Sequence, residues 1–401
     1  MKYHYLLSVL LFFFLVLACK NTIKESLVIN INADEPKSHI DLKLSDLADS
    51  FKLIPLETTK ECLLDNRTDF YISRNYILAY SESGVYKFSS EGKFLKKLFG
   101  LGRGPNEFVN LLLCIFTVEE DNDLLYINDQ IQKGIYLRYD LKSEHFLEPI
   151  KQCFSAFGSF DIYGDSLMIV SNLLKSNYAV YYQDFNGEFK SGITQIKKYM
   201  SYKNEMPQKG RLIKAGSNYY YSFLYDDTLF KINEYKLIPY LALNFKTPRE
   251  NPPRETLTNG DRFVNFQSGN PSFFIIHVNI IEDVNLYNRG IGGEKGYYLI
   301  LNNLSGKASR IDSYTDNFVG ETKDASALGH VDFFNPFFLK LQYNNKIITP
   351  YYPSQIKKAI EKGLNYKDFP VGINKQLLKL NKTLQETDNP VLMIGTIKDK
   401  I

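Results

Sequence analysis

From Leu27 onward the chain is a succession of short runs in which apolar and polar residues alternate, each ended by glycine, asparagine, aspartate or serine. Alternation with a period of two places one set of side chains on one face of an extended strand. The clearest group spans Asp69 to Leu98: Phe70–Ser73, Tyr76–Tyr80, Val85–Phe88 and Phe94–Leu98, with the turn Ser89-Ser90-Glu91-Gly92 before the last. Glu91-Gly92 between two strand-like runs predicts a hairpin, because glycine tolerates the positive φ of such turns. The theme returns at Leu124–Ile127 with Ile135–Tyr139, at Ser166–Val170 with Ala179–Tyr182, at Tyr219–Ser222 with Thr228–Ile232, and at Gly296–Leu301.

Aligning Tyr86, Tyr136, Tyr181, Phe230 and Tyr298 gives steps of 50, 45, 49 and 68 residues. A four-strand repeat of ~40–50 residues is the signature of propeller blades. With a sixth segment at Phe333 to Thr349, the expectation is an all-β fold, a six-bladed β-propeller of four-stranded antiparallel blades. The long last step predicts an insertion near Ser268 to Gly293. Pro55, in Phe51–Glu57, belongs at a sheet edge or a strand end, and the run Val391–Ile397 is expected to complete the last blade. One interval, 354–387, has apolar residues near helical spacing and reads as a small helical insertion packed on one face of the ring.

The first eighteen residues lie outside this pattern. Lys2 precedes an apolar run from Leu6 to Leu17 that is broken only by Ser8, which describes a signal peptide and is too short for a permanent ~20-residue span. Val16-Leu17-Ala18-Cys19 resembles the bacterial lipobox. That resemblance implies cleavage before Cys19 and acylation of the new terminus with palmitate-type chains; several chains anchor stably, at ~0.8 kcal/mol per buried methylene. The organisation is then a leader over 1–18, a lipidated tether over 19–26 and the propeller over 27–401, with the protein held in the cell envelope at the outer membrane.

Loss of the leader removes only Lys2 among charged residues, leaving 47 basic against 45 acidic, or +2. A near-neutral chain without a basic face argues against nucleic acid as a partner. Three cysteines remain besides Cys19, so at most one disulfide can form, and no C-x-x-C pair suggests a thiolate zinc site. Cys114, within Leu111–Phe116, reads as a small buried hydrophobe. The chain carries 29 Tyr and 29 Phe but no Trp, a composition suited to half-buried pleated surfaces.

The residues able to carry chemistry are few. Gly100 to Glu107 is glycine-rich and follows a strand, but Pro105 and the strand-like run after it provide no helix to meet a phosphate. It reads as an inter-blade crossover in which Arg103 and Glu107 bond locally. If that face takes a ligand, Arg103 is the candidate, as a rigid bidentate donor. His277, in Phe273–Val278, is expected as a buried, hydrogen-bonded strand histidine, and His145 as part of a solvated hairpin. His330, in a loop beside Asp332, is the better functional candidate. Asp121-Asn122-Asp123 and Asp226-Asp227 lack calcium-loop spacing and read as solvated turns. Tyr219-Tyr220-Tyr221 and Tyr351-Tyr352 could stack on sugars or peptides, though a place between blades explains most of them. No cofactor or metal is implied, and no G-x-S-x-G elbow occurs.

Three segments carry a family resemblance: Leu53-Ile54-Pro55-Leu56-Glu57-Thr58, Phe99-Gly100-Leu101-Gly102-Arg103-Gly104-Pro105-Asn106-Glu107-Phe108, and Asn389-Pro390-Val391-Leu392-Met393. In these the chain resembles the six-bladed β-propeller lipoproteins of Bacteroidetes-type bacteria, similar in style to NHL and TolB propellers. Where the family has glycine after Gly-Pro, this chain has Asn106. The resemblance implies a non-catalytic, membrane-anchored scaffold for a glycan, a peptide or an envelope protein. The competing reading is a metal-assisted hydrolase or lyase of an extracellular polymer, with His330 and acids from several blades converging on the axis.

Overall fold

Four successive strands make one antiparallel sheet, and six such sheets form the molecule. The computed structural model describes residues 28–34, 36–104, 106–129, 131, 134–154, 158–170, 177–194, 210–223, 226–247, 258–289, 292–316, 321–324, 340–342, 345–361 and 371–398. Blade I comprises Asp69–Ile72, Tyr76–Tyr80, Gly84–Ser89 and Phe94–Leu101, with the short strand Glu107–Phe108 on its outer edge. Blade II comprises Cys114–Glu119, Leu124–Asp129, Ile135–Asp140 and His145–Lys151. Blade III comprises Phe160–Tyr163, Ser166–Val170, Tyr178–Asp184 and Phe189–Thr194. Blade IV follows with Gly210–Ala215, Asn218–Phe223, Thr228–Asn233 and Lys236–Asn244. Blade V has Arg262–Asn270, Phe273–Ile281, Glu294–Asn302 and Lys307–Asp316. Blade VI has Lys340–Gln342, Lys346–Tyr351, Val391–Ile397 and, as its outer strand, Ala48–Pro55. Tyr86, Tyr136, Tyr181, Phe230 and Tyr298 all fall in the third strand of their blades.

The middle strands are almost continuously apolar because both of their faces are covered. Tyr219 to Phe223, for example, is buried throughout, whereas the outer strand His145–Lys151 buries only Ile150. The core is accordingly six clusters, each between two neighbouring blades. The seam between blades VI and I holds Ile54, Leu56, Phe70, Ile77, Phe88 and Leu392. At ~1.5–3 kcal/mol for each large apolar side chain fully buried, such a seam contributes as much as a small domain core. Six seams for six blades close the ring, which defines a six-bladed β-propeller.

Closure differs in one respect from the sequence expectation. Val391–Ile397 is the third strand of blade VI, and the N-terminal strand Ala48–Pro55 lies outside it, with Val391 opposite Pro55 and Met393 opposite Leu53. The chain enters the ring from outside, so its first blade-forming strand is an outer one. Pro55 ends that strand at the edge, where a missing N–H leaves no ladder bond unmade. Upstream, Ile29–Asn32 adds in parallel to the outer strand of blade IV, and His39–Lys43 adds in parallel to that of blade V. Residues 28–55 thus run along the outer edges of blades IV, V and VI. Ile31 and Leu42 drop into the adjacent seams, and edges that would otherwise present unpaired backbone groups are covered.

Within 268–293 lie the second strand of blade V and the connection 282–293, which bears the helix Val284–Asn288; that connection and the nine-residue strands beside it carry extra length. The helical interval does exist: Pro353–Glu361 and Val371–Asn381 join the second and third strands of blade VI. Ile356, Ala359, Ile373 and Leu377 bury against the seam between blades V and VI. Connections from first to second and from third to fourth strands are tight turns of at most four residues, such as 216–217 and 303–306. At the opposite end of each sheet lie the longer connections, among them 102–113, 282–293 and 352–390.

Candidate functional site

First strands are innermost in every blade, and those of blades IV and V, and of V and VI, lie side by side around the axis. Their polar residues are therefore the ones a ligand in the centre of the ring would meet. Most are already paired. Between blades III and IV, Lys214 Nζ lies 3.0 Å from Asp161 Oδ2, and the Tyr219 hydroxyl donates to the same oxygen at 3.0 Å. Between blades IV and V, the buried Arg262 donates to Asp227 through Nε at 3.2 Å and Nη2 at 2.5 Å, and through Nη1 to the Thr247 carbonyl at 2.9 Å. Its guanidinium also stands 3.8 Å from the Phe245 ring centroid. Asp226 and Asp227 are thus not a solvated turn. Asp226 is buried and accepts from the Thr228 amide, because the connection folds inward to meet Arg262.

Arg211, on the first strand of blade IV, is different. Its guanidinium donates through Nη1 to Asn265 Oδ1 on the first strand of blade V, with no carboxylate paired to it among the described residues. The residue remains solvent-exposed, yet desolvation by the surrounding protein lowers its pKa. Asn265 begins a row across blade V, since its cross-strand partner is His277, whose next partner is Tyr298. The His277 and Tyr298 rings stack at 4.4 Å. His277 Nε2 is buried and has no hydrogen-bond partner, and nor does Asn279 Oδ1. His277 packs against Gly296, where a Cβ would stand 2.8 Å from Nε2, so the imidazole fills the space a side chain would need. Burial pushes the His277 pKa down to about 4, so the imidazole is neutral at physiological pH. The expected strand histidine is therefore half-buried, with Nε2 enclosed, and stacked rather than hydrogen-bonded. On the same face of blade V, Asn279 Nδ2 donates to Glu294 Oε2 at 2.9 Å, so the row carries a carboxylate beside its neutral groups. No group of three His, Cys, Asp or Glu able to hold a metal exists among the described residues.

The glycine-rich loop is self-contained. Glu107 turns back over it, accepting from the Gly104 amide at 2.8 Å, and a Cβ at Gly102 would stand 1.9 Å from Glu107 Oε2. The amides of Gly100 and Gly102 bond the carbonyls of Asn106 and Phe108. Asn106 has φ +61°, the left-handed conformation that glycine adopts freely and asparagine better than most. Arg103 is exposed and forms no ion pair among the described residues. Cys19 and His330 lie outside the described residues. Tyr219, Tyr220, Tyr221 and Tyr351 are all core. Cys114 is only half-buried, because its strand is the first of blade II, and Cys62, Cys114 and Cys153 are free thiols.

The other two resemblance segments meet at the VI–I seam. Asn389 is buried; its Oδ1 accepts from the Leu64 amide at 2.9 Å, and its Nδ2 donates to the carbonyls of Glu57 at 2.8 Å and Cys62 at 2.6 Å. Its own amide donates to Thr58 Oγ1 at 2.8 Å. These residues latch the ring.

A ring of this construction places the chain among six-bladed propellers. More particularly, it belongs to the family described as a domain of unknown function, DUF4934, whose model matches residues 26–396. No curated protein matches it. Among solved structures, it is similar to a protein of Bacteroides fragilis described as exported, at 15% identity and a TM-score of 0.59, over 92% of this chain and 99% of the other. It is also similar to the extracellular domain of a one-component system of B. thetaiotaomicron, at 14% identity and a TM-score of 0.37, over 65% of this chain but 29% of that one. BamB of Moraxella catarrhalis matches at 10% identity and a TM-score of 0.37, over 85% and 99%.

Proposed function

We propose that this chain is an exported propeller, lipid-anchored through Cys19 at the outer membrane, that serves as a ligand-binding or protein-interaction scaffold in the cell envelope. The observation that carries this reading is the course of the N-terminus. Ile29, ten residues after Cys19, already belongs to blade IV, and the chain from there to Pro55 is built into three blades. A tether of ten residues reaches at most ~35 Å, so an anchor at Cys19 would keep the whole ring close to the membrane surface. The description of the Bacteroides fragilis relative as exported agrees with that address.

Metabolic labelling with an alkyne-bearing palmitate analogue, followed by fractionation, tests the anchor. Wild-type protein is expected to be labelled and membrane-bound, and Cys19→Ala unlabelled and released. An unlabelled wild type, or membrane retention unchanged in Cys19→Ala, would overturn the reading. A thermal-shift panel of oligosaccharides, peptides and divalent metals then tests the scaffold role; a ligand at a hundred times its dissociation constant adds ~2.7 kcal/mol.

A further inference from the structure

We infer that the corner of the ring where blades I and II meet, at the end that carries the long connections, sits on the lipid bilayer. The inference rests on the anchored reading above and adds which face of the ring meets the membrane. Leu101, Val109, Leu112, Leu113 and Ile131 are large apolar side chains between 40% and 59% exposed. The strand register brings them together. Leu101 lies beside Phe108, and Asp129, two residues before Ile131, lies opposite Cys114, which follows Leu113. The segment cannot turn these side chains inward, because Phe108 and Leu111 already fill the seam between blades I and II. Asn110 fixes the turn, its Oδ1 accepting from the Leu112 amide at 2.9 Å. What stays outside is an apolar patch on the order of a few hundred Å², large enough to mark an interaction site.

Three observations favour a bilayer over a protein partner. The patch is wholly aliphatic in a chain that holds 29 Tyr and 29 Phe, whereas protein interfaces centre on aromatic anchors. Its ionic groups suit an anionic surface: Arg103 is exposed, Glu107 is folded back on the Gly104 amide at 2.8 Å, and Asp129 is buried. The tether permits the contact. Ile29 lies opposite Leu241, three residues from the end of blade IV's outer strand at Asn244, a distance of ~10 Å. A ten-residue tether of at most ~35 Å covers that distance, and equally the ~17 Å to the opposite end at Lys236. Length therefore leaves both faces open, and the apolar side chains decide between them. Of the thirteen large apolar side chains exposed among the described residues, nine lie at the end with the long connections.

The chain has no tryptophan, so a single introduced one reports alone. Full-length protein carrying Leu112→Trp, and separately Leu304→Trp on a turn at the opposite end, is reconstituted into vesicles of phosphatidylethanolamine and phosphatidylglycerol, with and without bromine on the acyl chains. Both positions are exposed, so neither substitution disturbs the core. Bromine quenches only an indole that reaches the acyl region. The expected result for Leu112→Trp is blue-shifted emission and loss of most of its signal in the brominated vesicles, with Leu304→Trp unshifted and unquenched. Val109→Trp repeats the measurement should Leu112→Trp not fold. An unquenched reporter on the patch, as it would be against water, another protein or a second copy, would overturn the inference, and so would equal quenching at both ends. Palmitate labelling of the same samples keeps the two readings apart. Labelled protein unquenched at position 112 sinks the orientation alone, and unlabelled protein quenched there sinks the anchor alone.

Discussion

Asn389 should be among the most sensitive polar positions in the chain, because one buried amide joins the last blade to the first. Replacing it with alanine removes an acceptor from the Leu64 amide and a donor from the carbonyls of Glu57 and Cys62, in a place water does not reach. An orphaned buried donor costs ~1–3 kcal/mol and each of the two lost bonds to carbonyls ~0.5–1.5 kcal/mol, so the total is about 2–6 kcal/mol. At ~2.1 cal/mol/K per residue the unfolding entropy of the propeller is about 0.8 kcal/mol/K, and the melting temperature should fall by about 3–7 °C. Circular dichroism melts of wild type and Asn389→Ala measure this directly. Asn389→Asp should be no better, since it sets a carboxylate against two carbonyl oxygens. Hydrogen exchange adds a local readout, for the Leu64 amide should lose protection before amides in blades II to IV. A drop below 1 °C, with Leu64 exchange unchanged, would refute the view that this residue latches the ring.

Three further outcomes are expected. Asn106 sits at φ +61°, so Asn106→Gly should be neutral or stabilise slightly, while Asn106→Val should cost ~1–2 kcal/mol in chemical denaturation. His277 is held neutral with its pKa near 4, below the ordinary value of 6.5. The unfolded chain therefore takes up a proton first as pH falls, and stability is lost between about pH 6.5 and 4. Unfolding free energies from urea melts at pH 7.5 and 5 should differ by about 2 kcal/mol more in wild type than in His277→Gln. Burial, aided by Asp129, pushes the Cys114 thiol up to about 12, so at pH 8 roughly one molecule in ten thousand carries the reactive thiolate. Iodoacetamide followed by peptide mass spectrometry should find Cys114 modified far more slowly than a free cysteine.

Much of the architecture was legible in the chain because it is local. A blade is four neighbouring strands joined by short turns, so the aromatic rhythm of Tyr86, Tyr136, Tyr181, Phe230 and Tyr298 repeats with the blade itself, and each of these residues lies in a third strand. The six-bladed fold and the helical interval before Val391 follow from that rhythm and from the change of period. The resemblance segments 53–58 and 389–393 were visible as separate motifs, but not as two halves of one latch. Their contact spans more than 330 residues, and only ring closure makes it.

The course of the N-terminus was decided by tertiary structure alone. Nothing local selects the outer edges of blades IV and V as the partners of Ile29–Asn32 and His39–Lys43. Arg211, in Arg-Leu-Ile-Lys, stays solvent-exposed on its alternating strand and reaches Asn265 of the next blade. Asp226-Asp227 shows the converse: two acids that resemble a solvated turn become an internal counter-ion once Arg262 arrives from the next blade. Hydrophobic alternation fixes which face of a strand is buried. Which charges are compensated depends on neighbours that are distant in sequence, and closing the ring chooses those.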